Sequence, residues 1–127
     1  MKQVLMTAAA IALGAAGMAA ADPVQGTWKS PTNSDGAYIQ VTMKPCGAEV
    51  CGTISKVVNG DNAIVGKRMI WGMKPAGGGV YKGGRVWAPD DDKTYRGKLT
   101  LSGNALKVEG CVLGGAVCRG EAFSRVN

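Results

Sequence analysis

At 127 residues the chain is the size of one small domain, and its formal net charge of +6 comes from 15 basic and 9 acidic residues. It contains no histidine, which excludes Ser-His-Asp and Cys-His catalysis, histidine-ligated metals and proximal-histidine haem. The basic residues are scattered rather than blocked, so the charge reads as a solubility feature and not as a nucleic-acid footprint.

Met1-Lys2-Gln3 gives a basic start, residues 4–18 form an apolar run, and Ala19-Ala20-Ala21 supplies small residues before Asp22-Pro23. This is the layout of a secretory signal peptide. Cleavage is expected after Ala21, with Ala20 as the alternative, leaving a single domain over residues 22–127. A spanning helix needs roughly 20 apolar residues. The first run is too short and no later run is longer, so no membrane span is expected.

Strand signals then recur roughly every 10 to 15 residues, separated by turn residues. Gly26-Thr27-Trp28-Lys29 reads as the first strand, and residues 31–36 as a polar loop. Residues 38–44 alternate, with Ile39, Val41 and Met43 on one face. Residues 45–49 turn the chain and 52–57 return it, bringing Ile54. Asn59-Gly60-Asp61-Asn62 is a turn cluster. Arg68 to Met73 reads as a short strand with Trp71, residues 74–79 as a Gly/Pro loop, and Gly84 to Ala88 as a strand with Trp87. Asp90-Asp91-Asp92 lies in a turn and lacks the spaced ligands of a calcium loop. Tyr95, Gly97, Leu99 and Leu101 share one face of the next strand, and Leu106, Val108 and Gly110 one face of the strand after it. The final strand runs through Glu121, Phe123 and Arg125. Twenty glycines, more than twice the usual share of ~7%, and a single phenylalanine fit a turn-rich β-protein with a thin aromatic core.

A two-residue turn at Gly114-Gly115 sets Cys111 opposite Cys118. That register favours Cys111–Cys118 and leaves Cys46–Cys51, although four cysteines allow three connectivities. Such short loops give about 2 kcal/mol of chain-entropy stabilisation each. Neither spacing suits a redox C-x-x-C motif or a zinc site, and paired cysteines imply an oxidising compartment. Glu49, Glu109 and Glu121 fall in different hairpins, so no two-carboxylate hydrolase is expected. No phosphate loop or nucleophile elbow occurs, and no cofactor or metal is expected. Trp28, Trp71, Trp87, Tyr38, Tyr81 and Tyr95 lie among basic residues, but read as barrel lining rather than as a base-stacking platform.

Gly26-x-Trp28 on the first strand, with Arg125 late in the last, resembles the lipocalin signature, in which an Arg packs over a Trp at the closed end of a barrel. The order Cys46-Gly47, Cys51-Gly52-x-Ile54, Gly83-Gly84-x-Val86-x-x-Pro89, Lys93-Thr94-Tyr95, Leu99-x-Leu101, Leu106-x-Val108-x-Gly110-Cys111 and Cys118-Arg119 resembles the bacterial family called domain of unknown function 2147. That family more often has Tyr-Asp where this chain has Trp87-Ala88, and Trp where it has Phe123, so no role for that acid carries over. The resemblance implies a lipocalin/calycin-like barrel in a periplasmic or secreted protein of a Gram-negative bacterium, with no established activity.

The expected architecture is all-β: an antiparallel up-and-down β-barrel of about eight strands, monomeric, with two local disulfides. Eight-stranded barrels either fill with side chains or hold one small ligand. The expected role is binding of a small apolar or amphipathic molecule such as a fatty acid, not catalysis. Ile39, Val41, Met43, Ile54, Leu99 and Leu101 would line the cavity with Leu106 and Val108, and Gly97 and Gly110 would leave space in it. Met69, Trp71, Met73 and Trp87 would surround its mouth, while Gly26, Trp28 and Arg125 would be structural. The alternative is a cell-envelope interaction module with a filled barrel, contacting a protein partner through the stretch 72–84.

Overall fold

The computed structural model describes residues 22–127; the expected signal peptide and its cleavage site lie outside the described residues. Eight strands follow one another: β1 (Gly26–Lys29), β2 (Tyr38–Cys46), β3 (Glu49–Val58), β4 (Arg68–Gly77), β5 (Val80–Ala88), β6 (Lys93–Ser102), β7 (Ala105–Val112) and β8 (Val117–Arg125). Each pairs antiparallel with the next, and β1 pairs with β8, which closes an up-and-down barrel. The period-2 alternation sets which face turns inward. In β2, for example, Val41 and Met43 are buried while Lys44 is exposed.

The two ends of the barrel differ in their connections. At one end, two-residue turns join β2 to β3, β4 to β5 and β6 to β7. Gly47, Gly78, Gly79 and Gly103 take left-handed backbone angles in those turns, where glycine carries no Cβ penalty. At the other end, the connections are residues 30–37, 59–67, 89–92 and 113–116.

The tight-turn end is closed. Trp28 is fully buried, its indole N–H donates to the Val24 carbonyl (2.9 Å), and the Arg125 guanidinium lies 4.3 Å from its ring centre. Arg125 also donates to the carbonyls of Pro23 (2.7 Å) and Gln25 (3.1 Å). The segment before β1 is therefore strapped across the base. Its first described residue, Asp22, accepts hydrogen bonds from the Tyr81 hydroxyl (2.6 Å) and the Val24 N–H (2.9 Å). Above Trp28 the interior is packed solid by Val41, Met43, Ile54, Met73, Leu99 and Leu106, each at most 1% exposed.

Both local cysteine pairs are at disulfide distance, with Cα separations of 5.9 Å for Cys46–Cys51 and 4.1 Å for Cys111–Cys118. The first pins the β2–β3 hairpin at the closed end, and the second pins β7–β8 at the open end.

The structure departs from the sequence reading at three places. Residues 74–77 are not loop; they continue β4, because β5 begins at Val80 and supplies a pairing partner. Of Met69, Trp71 and Met73, expected around the mouth, only Met69 borders a cavity there, and Met73 is fully buried in the base. Register shifts and the left-handed Gly72 bury Met69, Ile70 and Met73 and leave Trp71 half-buried. The β7–β8 connection keeps the register Cys111↔Cys118, but its turn is wider than two residues. Leu113, Gly114 and Gly115 are all left-handed there, and Leu113 is 77% exposed.

Candidate functional site

The open end carries two adjoining cavities. One, of about 470 Å³, is walled by Val86 of β5, Tyr95 of β6, Val108, Gly110 and Val112 of β7, and Val117, Arg119 and Glu121 of β8. The other, of about 420 Å³, lies under the β1–β2 and β3–β4 connections, lined by Ser30, Asn33, Asp35, Tyr38, Ile39, Val57, Asn59, Asp61 and Ile64 among others. Met69, Pro89, Asp90, Glu121 and Phe123 border both. They form one bilobed site at the mouth. Each lobe falls in the volume range of ordinary small-molecule sites, ~300–1,000 Å³.

The register of β7 and β8 explains why charge reaches this site. Leu106 pairs with Phe123, Val108 with Glu121, Gly110 with Arg119 and Val112 with Val117. These pairs share the inward face. Phe123 is 3% exposed and forms part of the floor. Toward the mouth the same face carries Glu121, Arg119 and Val117, all exposed. Glu109 belongs to the other face, where it pairs with Lys107 (3.7 Å). Contrary to the sequence expectation of different hairpins, Glu109 and Glu121 lie on the two strands of one hairpin, β7–β8, but on opposite sides of the barrel wall.

The three consecutive aspartates divide their tasks. Asp92 accepts from the Trp87 indole N–H (2.8 Å) and Asp91 from the Tyr95 hydroxyl (2.7 Å). The Asp91 bond, with some desolvation and the nearby negative charge, raises the Tyr95 hydroxyl pKa. These bonds fix the β5–β6 turn so that Asp90 borders both lobes. Lys67, 4.3 Å from the Trp87 ring centre, ties the β3–β4 connection to the same turn.

The second lobe is held by side-chain to main-chain bonds, which substitute for ladder bonds where the strands have ended. The Asn33 side chain accepts from the Asp35 and Ala37 N–H groups, both at 2.9 Å. The Asn59 side chain donates to the Gly36 carbonyl (3.2 Å). The Ser30 hydroxyl accepts from Ile39 N–H (2.9 Å), and Asp61 caps a short 3-10 turn, Asn62–Ile64, through Ala63 N–H (2.9 Å).

Of the residues expected to line a cavity or its mouth, Ile39, Met69 and Val108 do so. Val41, Met43, Ile54, Leu99 and Leu106 lie below, in the packed base, and Leu101 packs against it half-buried. Their apolar bulk fills the space it was expected to surround. Trp71 lies under Arg68 (5.1 Å), and Trp87 is a strut for the β5–β6 turn. Gly97 leaves no void, because a Cβ there would collide with Met73 and Val86. Gly110 does border the first lobe, partly covered by Tyr95, whose ring lies 3.1 Å from where a Cβ on Gly110 would lie. Tyr38 and Tyr95, read as barrel lining, border the second and first lobes, and the residues that reading missed are Asp35, Asp61, Asp90, Arg119, Glu121 and Phe123. A signal was present: the inward face of the last strand, Val117-x-Arg119-x-Glu121-x-Phe123, changes from apolar to charged along its length.

Comparisons with known proteins agree with this architecture. The model of a family described as "Uncharacterized protein conserved in bacteria (DUF2147)" matches residues 26–125, and the chain belongs to that family. No curated protein matches it. Among solved structures, protein HP1028 from the human pathogen Helicobacter pylori, described as belonging to the lipocalin family, superposes with a TM-score of 0.66 at 14% identity. The match covers 82% of this chain and 83% of that one. At that identity the likeness shows the fold alone.

Proposed function

We propose that this family member is an exported binding protein, not an enzyme, that holds a small amphipathic molecule in the mouth of its barrel. The observation that carries the reading is the bilobed cavity at the open end, set on a base that is packed solid. A packed base beneath a preformed mouth cavity is a suitable scaffold for binding, since preformed sites lose less entropy on ligand capture. The two cysteine pairs support export to an oxidising compartment such as the periplasm. The filled-barrel alternative describes the lower half only, and the stretch 72–84 assigned to its partner contact is the β4–β5 hairpin rather than a free loop.

The test is mass spectrometry of an organic extract of the oxidised protein, purified gently from an export-competent host. A single amphipathic compound in near-equimolar amount is expected. A clean extract, together with no binding of any small amphiphile by calorimetry, would overturn the reading.

A further inference from the structure

The charges around the mouth name the class of ligand. Asp35, Asp61, Asp90 and Glu121 border the second lobe, and among the described residues no lysine or arginine does. Four of the chain's nine acidic residues thus surround one cavity in a protein whose net charge is +6. Among the described residues, the ion pairs are Lys74–Glu49 and Lys107–Glu109, so none of these four carboxylates is neutralised by a protein cation. The first lobe is walled by four valines with Ala88, Pro89 and Tyr95, and Met69 and Phe123 lie beneath. Its one cation, Arg119, is set against two carboxylates, Asp90 and Glu121. Both lobes therefore carry an excess of negative charge, and the apolar surface is concentrated in the first.

From this we infer that the site takes an amphipathic organic cation, with its apolar body in the first lobe and a protonated amine or quaternary ammonium head in the second. The inference rests on the reading of the mouth as a ligand site, and it replaces the fatty acid that the fold alone suggests. A carboxylate head in the second lobe would meet four carboxylates and, among the described lining residues, no lysine or arginine. A cationic head gains attraction from Asp90 and Glu121 at the partition and from Asp35 and Asp61 beyond it. Such attraction persists in a concave site with low-dielectric walls and weakens with salt.

The experiment uses the oxidised protein and three probes with one tail: decyltrimethylammonium, decanol and decanoate, titrated calorimetrically below their micelle concentrations. The ammonium is expected to bind on the order of tenfold tighter than decanol, with decanoate weakest. The ratio of ammonium to decanol affinity should fall towards one in a D90N/E121Q double variant whose thermal melt shows that it folds, and added salt should lower the same ratio in the unmodified protein. E121K should shift the order towards decanoate. Decanoate binding as tightly as the ammonium, or a ratio that survives D90N/E121Q, would overturn the cation assignment while leaving an amphiphile site. Binding of none of the three would overturn the site itself.

Discussion

The two ends of this barrel are made by the same eight strands and behave as different materials. At the base, inward positions carry Trp28, Met43, Ile54, Met73 and Leu99, all fully buried, and Gly97 yields its space to Met73 and Val86. At the mouth, the same faces carry valines, Gly110, Arg119 and Glu121, and the interior opens. Strand β8 shows the change within one element, from buried Phe123 to exposed Glu121 two residues away. Barrel closure fixes the diameter, but the volume and charge of inward side chains decide whether the lumen is core or site. The connections follow the same division: two-residue glycine turns below, longer side-chain-braced segments above.

The sharpest way to break this division is to empty the base. Trp28→Ala is predicted to cost about 3–5 kcal/mol in urea denaturation, since it removes the largest buried side chain and leaves Arg125 without its ring. A loss below about 1 kcal/mol would show that the base does not carry the fold.

The two disulfides separate stability from binding. Replacing Cys46 and Cys51 together by alanine, or Cys111 and Cys118 together, should lower stability by about 2 kcal/mol in each case. Only the second replacement is expected to weaken ligand binding as well, because it frees the hairpin that walls the first lobe. Equal binding by the two variants would argue that the hairpin holds its shape without the bridge.

Three changes probe the strap across the base. Arg125→Met should cost about 1–2 kcal/mol by removing the cation–π contact and both carbonyl bonds. Arg125→Lys should restore little, because one ammonium lacks the guanidinium fork. The Tyr81 hydroxyl is held well above its ordinary pKa of 10.0, first by burial and then by the hydrogen bond and charge of Asp22. Its contribution is thus fully present below about pH 10. It is lost as pH rises further, because the unfolded chain ionises first. Tyr81→Phe is predicted to cost about 1 kcal/mol at neutral pH and to flatten the alkaline fall in the melting temperature. An unchanged alkaline limb would assign that fall to Tyr95, whose hydroxyl pKa is also raised.

The smallest expected effect on stability belongs to the mouth. Glu121→Gln should change it by less than about 0.5 kcal/mol, as an exposed side chain without an ion-pair partner. A large loss there would mean that the mouth, like the base, is structural.

Much of the fold was legible because alternation and turn chemistry are local. Val41 and Met43, Leu99, and Leu106 with Val108 announced inward faces, and the Cys111↔Cys118 register followed from pairing. The Trp28–Arg125 contact was legible through resemblance, as it joins residues far apart in the chain. The site was less legible. Apolar alternation identifies inward positions without saying whether their side chains meet, and the most apolar stretches proved to be the best packed. The division of labour among Asp90, Asp91 and Asp92 depends on where Trp87 and Tyr95 place their donors. The second lobe depends on how Asn33 and Asn59 bend two connections towards each other. Neither is a property of a single segment.

The pairing of β1 with β8 has a consequence for how this molecule comes into being. Every other strand pair is a hairpin between neighbours in the chain and can zip locally, but the seam Trp28↔Arg125 joins its first strand to its last. Such long-range contacts form late and slowly. A nascent chain that has not yet released β8 has no route to a closed barrel. Its hairpins can form in order, but the tryptophan seat stays open and exposed to water until the final strand arrives. Barrel closure is thereby tied to the arrival of β8, however early the other hairpins form.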